Sequence, residues 1–435
     1  MSDSSPRPEK PVFFGWTLVG VLFALDFLFM GFNFYGGSVI NTYMLKQIPM
    51  SRGVYGLGFT LTNLFVGLPS TLVAVVIVRW GLRASFAIGT ALLVAGTVWL
   101  SFFASRPWHY LASFGVLVGT GLAFATNVPI ATAITRWFKR YRGRAMGIAL
   151  SASGMAGFLC SPLVNRILAA NGGNWRHAWE IMSVVTVAAG IVAVLFVRER
   201  PEDLGQTVDG LSGDRAAQLP KETASLVTSH SWNVWEAYRS WAFWILCFGG
   251  AACKYPYFFI NAHWILHLKG AGISAANAAL ALGLFTLGGL SGRLLGGWLM
   301  DKMAARYALM LGFCCYLAGM FLALRVSAQA VSVAYVAAIL FGLGFGWTFI
   351  AVYTAIGHFY GPAAYPQLSG MMALISSVTA APSSAIGGKL FDAYGSYTPA
   401  FELIGLVTVL AIAALVFATM PQPTTVPAKE SLRYS

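Results

Sequence analysis

Charged residues are scarce in this chain: Asp, Glu, Lys and Arg make up 10% of its 435 residues, where a soluble domain carries about 25%. The shortage excludes a water-soluble globular enzyme, because no core of this size hides so much apolar surface. Acidic residues are scarcer still, 15 against 28 Lys and Arg. No paired carboxylates or metal-ligating cluster stand out, so a membrane-embedded enzyme lacks the constellation it needs, and neither cofactor nor metal is expected. The five cysteines, Cys160, Cys247, Cys253, Cys314 and Cys315, all fall in apolar stretches without C-x-x-C spacing. That excludes a disulfide-stapled secreted fold and reads as packing.

What is abundant is apolar surface: 57% hydrophobic residues, with Phe 31, Trp 14 and Tyr 17, which also excludes a disordered chain. At about 20 apolar residues per crossing, spans fall near 14–36, 55–78, 84–104, 109–135, 144–168, 177–197, 242–266, 275–299, 305–325, 331–355, 368–390 and 398–419. The expectation is an all-α membrane protein of twelve transmembrane helices. The polar start Met1 to Lys10 leads directly into the first span and reads as no cleaved signal. With the N-terminus inside, 18 Lys and Arg lie on the inner side and 8 on the outer, and the other two, Lys254 and Arg293, fall within spans. The positive-inside rule then places both termini in the cytoplasm of a multi-pass protein of the cell membrane, its lean loops suggesting a bacterial inner membrane. The basic residues sit between apolar runs rather than along one face, so the net charge of +13 reflects topology and not nucleic-acid binding.

One long polar loop, 198–241, divides the chain into a cytoplasmic N-terminus 1–13, a six-helix bundle 14–197, the linker, a second bundle 242–419 and a tail 420–435. The halves echo each other at a shift of about 220 residues: Gly119-x-Gly121 with Gly342-x-Gly344, Trp137-Phe138 with His358-Phe359, Ser161-Pro162 with Ala381-Pro382. Two bundles related by duplication bind substrate near the bilayer midplane between them.

Gly292-Arg293-Leu294-Leu295-Gly296-Gly297-Trp298-Leu299-Met300-Asp301-Lys302 closes the eighth span and resembles the loop motif of the major facilitator superfamily. The resemblance implies a latch at the inner ends made by Asp301 and Lys302. The counterpart after span two keeps Arg79 and Arg83 but has Val78 where the Asp would stand. Arg136 to Ala149 with Ser153-Gly154, and Phe341 to Trp347 running on to Ala381-Pro382 and Gly387 to Tyr397, resemble the monocarboxylate transporter and oxalate–formate antiporter branch. That resemblance implies two pseudo-symmetric six-helix bundles and transport of an organic anion.

Three ionisable residues lie within spans: Asp26, Lys254 and Arg293. Each costs on the order of 3 kcal/mol at the bilayer centre, so none faces lipid. At ~1.5 Å per residue, Asp26 in span one and Lys254 in span seven lie at similar depth and are expected to be electrostatically coupled, with Asp26 as the proton carrier. Arg293 matches, by resemblance, the eighth-span arginine that binds substrate carboxylate; a guanidinium offers two parallel donors where lysine offers a point charge. One negative against two positive charges favours an anion. Asn33, Asn127, Tyr257, Asn261, Trp347 and Tyr353, at similar depth, complete the expected substrate site. Relatives commonly carry a lysine near the outer end of span one, where this chain reads Tyr35-Gly36-Gly37-Ser38, and an acid one turn before the arginine, where it has Gly289. The family's usual proton relay is therefore not carried over. His263 and His267 stand one turn apart without nearby Cys, Asp or Glu and read as an interfacial pair rather than a metal site. The expected function is a secondary transporter of small organic monoanions such as lactate or pyruvate, by proton symport; an organic-anion exchanger and a transporter-like sensor are the alternatives.

Overall fold

A computed structural model describes residues 13–45, 47–50, 52–210 and 226–422. The expected N-terminal segment up to residue 12, Lys46, linker residues 211–225 and the tail from 423 lie outside the described residues, and with these segments Arg7, Lys10, Arg215, Lys221, Lys429 and Arg433. Among the described residues the regular structure is entirely helical.

Among the described residues, ten helical stretches are long and apolar enough to cross a membrane. Two of these, Val54–Phe103 with 50 residues and Val331–Tyr394 with 64, are far longer than the roughly 20 residues a crossing needs. Each is broken by a glycine at positive φ, Gly81 at 88° and Gly361 at 70°. A side chain at φ of that sign clashes with its own backbone, so glycine is the residue that turns the chain there. The ten stretches thus make twelve crossings: α1 (Phe14–Met44), α2 and α3 (54–80 and 82–103), α4 (Pro107–Trp137), α5 (Arg142–Ala170), α6 (Trp175–Phe196), α7 (Trp241–Gly270), α8 (Ala275–Met300), α9 (Ala305–Ala323), α10 and α11 (331–360 and 362–394) and α12 (Thr398–Val416).

Within each half, backbones meet at glycine. Gly89 of α3 and Gly121 of α4 face each other so closely that a Cβ on either would lie 2.8–2.9 Å from the other's carbonyl oxygen. In the second half Gly288 and Gly292 of α8 lie against the carbonyls of α10, while Gly342 and Gly346 of α10 lie against those of α8. Close backbone approach of this kind replaces the hydrophobic drive that is absent between helices in lipid.

The ends of the molecule differ. At the end that carries the linker, the start of α1 is tied to it by the Phe14 N–H donating to Gln206 Oε1 at 2.9 Å, and the halves close on each other. Asp301, just past α8, accepts from the backbone N–H groups of Gly143 (2.7 Å) and Arg144 (3.0 Å) at the start of α5. A Cβ at Gly147 of α5 would stand 2.7 Å from the Arg293 carbonyl of α8, and one at Gly370 of α11 2.5 Å from that of Ser70 in α2. Toward the far end, α5 and α8 part around an open vestibule of about 470 Å³, lined by Gly157, Phe158 and Pro162 on one side and Leu282, Gly283 and Thr286 on the other.

The seam between α5 and α8 therefore closes the linker end only because it is made of glycine. Gly147→Val over-packs it, at a typical cost of about 1–3 kcal/mol. With Thr286→Cys as reporter in a background free of other reactive cysteines, labelling by an impermeant maleimide from the far side is expected to fall severalfold. Unchanged labelling rejects this seam as the closure.

Candidate functional site

Below the vestibule lies a smaller cavity of about 90 Å³ between the halves, and its polar lining is Asn63, Asn127 and Ser153 from the first half, Lys254, Arg293 and Ser377 from the second. Tyr35, Tyr257, Phe345 and Arg293 line both spaces, so the two adjoin. Tyr35 lies in the π-helical segment Phe29–Gly36 of α1, and Asn127 follows a break in α4 at Thr126 (φ −125°, ψ −112°). Such irregular turns recur at functional sites because they redirect side chains and free backbone groups. Gly157 of α5 leaves room for the Tyr35 ring, whose atoms come within 3.1 Å of where its Cβ would be.

Arg293 is 7% exposed and reaches across from α8 to α5, where Nη1 donates to the Leu150 carbonyl at 2.6 Å and the Ser153 hydroxyl at 2.5 Å. Its guanidinium carbon lies 5.7 Å from the Phe345 ring centre and 5.5 Å from that of Phe349, contacts that hold a cation against aromatic faces. Among the described residues Nε has no hydrogen-bond partner. Asp26, 1% exposed, accepts from the Ser153 backbone N–H at 3.0 Å through Oδ2, and among the described residues Oδ1 has no partner. Ser153 thus holds the acid by its backbone and the guanidinium by its hydroxyl, and Arg293 is the cation whose charge acts on Asp26.

The expected Asp26–Lys254 pair does not form. Lys254 instead donates to the Ser377 hydroxyl of α11 at 2.9 Å, and among the described residues no ion pair joins it to Asp26. Equal depth left the direction of each side chain undetermined, and Asp26 is turned toward α5. Of the other expected residues, Asn127 and Tyr257 line the inner cavity; Tyr257 stacks on Phe345 at 4.0 Å between ring centres. Asn261 is exposed in the vestibule, donating to the Tyr257 carbonyl at 2.8 Å.

Three expected residues lie elsewhere. Asn33 is buried against α6, donating to Thr186 Oγ1 at 3.1 Å and to its own helix at the Phe29 carbonyl. Trp347 packs on Gly296 and Gly312, inside the second half. Tyr353 is 2% exposed beneath Phe349, 5.2 Å away between ring centres, and lines neither space. At the latch, Asp301 makes the contacts between halves described above, while Lys302 turns away, its ammonium 3.9 Å over the Trp298 ring. His263 bonds Tyr397 and the Ser384 carbonyl and His267 the Ala323 carbonyl; each ring holds helix ends together.

Two lobes of six helices facing each other across a buried polar cavity are matched by family comparison. The Major Facilitator Superfamily model matches residues 21–381 and, in a second match, 257–433. The chain belongs to the major facilitator superfamily. It is similar to Monocarboxylate transporter 13 of Rattus norvegicus, 27% identical over 322 residues that cover 72% of this chain and 68% of that protein. It is also similar to the uncharacterized MFS-type transporter YcxA of Bacillus subtilis, 25% identical with 82% and 85% covered. Among solved structures, the proton:xylose symporter XylE bound to 6-bromo-6-deoxy-D-glucose matches with a TM-score of 0.72 at 15% identity, over 94% of this chain and 96% of that one. FucP in the outward conformation matches with a TM-score of 0.66 at 14% identity, over 93% and 99%. The chain is a transporter rather than an enzyme, and a multi-pass membrane protein.

Sequence reasoning passed over Ser377, Asn63 and the double role of Ser153. Ser153 stood within the quoted fifth-span motif, but nothing in one sequence separates a serine that holds two charges from the many that cap their own helix. The geometry gives a test by thermal unfolding of purified protein. Asp26→Asn and Lys254→Met, which share no partner, are expected to add within about 0.5 kcal/mol. Asp26→Asn and Arg293→Met, joined through Ser153, are expected to be non-additive by about 0.5–3 kcal/mol. Rescue of Lys254→Met by Asp26→Asn contradicts this arrangement.

Proposed function

We propose that this chain is a secondary active transporter of small organic monoanions, monocarboxylates foremost, moving them together with a proton by alternating access. The observation that carries this reading is the inner cavity. Two cations from the second half, Arg293 and Lys254, line it, one acid from the first half lies beside it, and the guanidinium is held only by neutral oxygens. A carboxylate is a stronger acceptor for Arg293 than a carbonyl and a hydroxyl, so a substrate anion can displace them without leaving a buried charge bare. The printed name of the rat relative, Monocarboxylate transporter 13, points to the same class.

The inner cavity is the smaller of the two spaces, about 90 Å³ against about 470 Å³, which suits an acid with few non-hydrogen atoms. The anion enters through the vestibule, passes Tyr35 and Tyr257, and places its carboxylate on Arg293 with Lys254 and Asn127 beside it. Asp26 then shares its counter-charge with a second carboxylate. Taking a proton from the far side on Oδ1, the oxygen without a partner, keeps the loaded cavity at its former net charge. With two carboxylates no longer competing for one cation, the halves close over the substrate and part at the linker end, where Asp301 releases Gly143 and Arg144. Substrate and proton leave there. The count of Lys and Arg makes the linker end cytoplasmic, which puts the vestibule outside the cell.

Anion exchange is the second reading. It is favoured by one observation: Gly289 stands where the family resemblance puts an acid, and Tyr35-Gly36-Gly37-Ser38 where it puts a lysine, so a proton relay rests on Asp26 alone.

Uptake into proteoliposomes decides. Arg293→Lys keeps the charge but loses the planar fork, and removing one charged hydrogen bond typically costs about 1.5–3 kcal/mol, so uptake of C2 to C4 monocarboxylates is expected to fall tenfold or more with folding intact. Wild-type uptake by Arg293→Lys sinks the assignment. Asp26→Asn is expected to lose accumulation driven by a pH gradient, more acid outside, while exchange between preloaded vesicles persists, because asparagine mimics the protonated acid. Accumulation that survives in Asp26→Asn moves the proton elsewhere.

A further inference from the structure

The linker folds back onto the closed end, and two of its attachments flank a cavity. Its turn Val208–Gly210 holds Asp209 in the left-handed region at φ 58°, and the Asp209 carboxylate accepts from the backbone N–H groups of Lys139 (3.2 Å) and Arg140 (2.8 Å) in the loop before α5. Farther on, the Thr228 N–H donates to the His358 carbonyl of α10 at 2.8 Å, and Trp232 sits edge-on to Tyr360 at 5.3 Å between ring centres. One attachment is to the first half and one to the second. Between them is a cavity of about 340 Å³ whose lining includes Arg136, Lys139 and Arg142 from the first half and Ser229, His230 and Tyr360 on the other side.

The cations there are unequally matched. Arg136 is satisfied by Glu199 at 2.6 Å, and His230 lies 3.3 Å from Glu236. Among the described residues neither Lys139 nor Arg142 has a carboxylate within ion-pair distance. Asp209 and Asp301 act on Arg142 only at longer range, each already taken up by backbone donors. Arg142 is 2% exposed, its Nε and Nη2 reach the Phe138 and Thr135 carbonyls at 3.2 and 3.5 Å, and among the described residues Nη1 has no partner. A guanidinium buried this deeply with a spare donor is costly unless an anion compensates it. The transport cycle described above makes no use of it.

We propose that this cavity is a second anion site, separate from Arg293, which takes a small organic molecule bearing a carboxylate or phosphate group. Lys139 and the Ser229 hydroxyl hold the oxyanion, the buried Arg142 charge behind them attracts it, and the accessible apolar surface of Val208 and Pro362 receives the body; the volume lies at the lower end of ordinary small-molecule sites. A ligand there touches the α4–α5 loop of the first half and the linker segment seated on α10 of the second at once. It therefore favours the state closed at the linker end and acts as a brake on reopening there, set by the anion content of the compartment on that side.

Thermal shift of purified protein with inorganic phosphate and with propionate tests this, at low and high ionic strength. Wild type and Arg293→Lys are both expected to be stabilised by at least one of the two ions, less so at high salt. Lys139→Gln, a half-exposed position where folding is not at stake, is expected to raise the half-effect concentration about tenfold, the loss of one charged contact; Arg142→Gln, if it folds, does so further. A response to phosphate alone assigns a phosphorylated ligand and a response to propionate alone a carboxylate. Equal responses of Lys139→Gln and wild type, or no response to either ion in Arg293→Lys, overturn the site. The transport reading fails separately, by wild-type uptake in Arg293→Lys, which leaves this result untouched.

Discussion

A carboxylate from one half of the molecule and a guanidinium from the other meet through a single serine, and the rest of the arrangement is fitted around that contact. Lipid offers no counter-charge, so Asp26 and Arg293 must find compensation inside the protein. They find it in Ser153, whose backbone serves one and whose hydroxyl serves the other. Because the three residues come from α1, α8 and α5, the contact also measures the separation of the halves. It is complete only while α5 and α8 are pressed together on the linker side of the cavity, and that closeness depends on glycine at 143, 147 and 297. Charge compensation and conformation are in this sense one constraint.

The twelve crossings were legible because lipid imposes length and apolarity on every one of them, and the turns at Gly81 and Gly361 fall inside the gaps read between spans 55–78 and 84–104 and between 331–355 and 368–390. Asp26, Lys254 and Arg293 were legible for the complementary reason, that a charge in lipid is costly enough to stand out in any sequence. What the sequence left open was rotation about the helix axis. Successive residues of an α-helix differ by about 100° in direction, so two side chains at one depth need not meet. Lys254 and Asp26 illustrate it. The π-helical segment of α1 makes the problem harder, since its wider turns shift the register after Phe29: Asn33 is aimed at Thr186 and Tyr35 at the cavity. Trp347 was misread for a related reason. An aromatic at the right depth faces the cavity or its own half, and the glycines at 296 and 312 that receive it come from two other helices.

The two ends of the molecule are built from different materials. Closure at the linker end uses backbone against backbone, with a carboxylate on two N–H groups, and the linker is laid over it. The opposite end has side chains of moderate size around open space, and between the vestibule and the inner cavity stand tyrosines from both halves, Tyr35 and Tyr257. A seam of glycines tolerates little variation in spacing, so it is either shut or apart. An aromatic boundary yields by rotation of rings, which requires less rearrangement of the backbone.

The disparity between the two spaces, about 470 Å³ above and about 90 Å³ below, has a pharmacological consequence. Arg293 borders both. A molecule with a carboxylate at its tip and a body too bulky for the lower space can dock on that arginine from the vestibule, yet it cannot be enclosed. Under the proposed function it competes with the cargo for that cation and wedges α5 from α8, holding the carrier in one posture. The upper volume falls in the range of drug-sized pockets, so on that reading the vestibule is also a socket for a non-transported inhibitor.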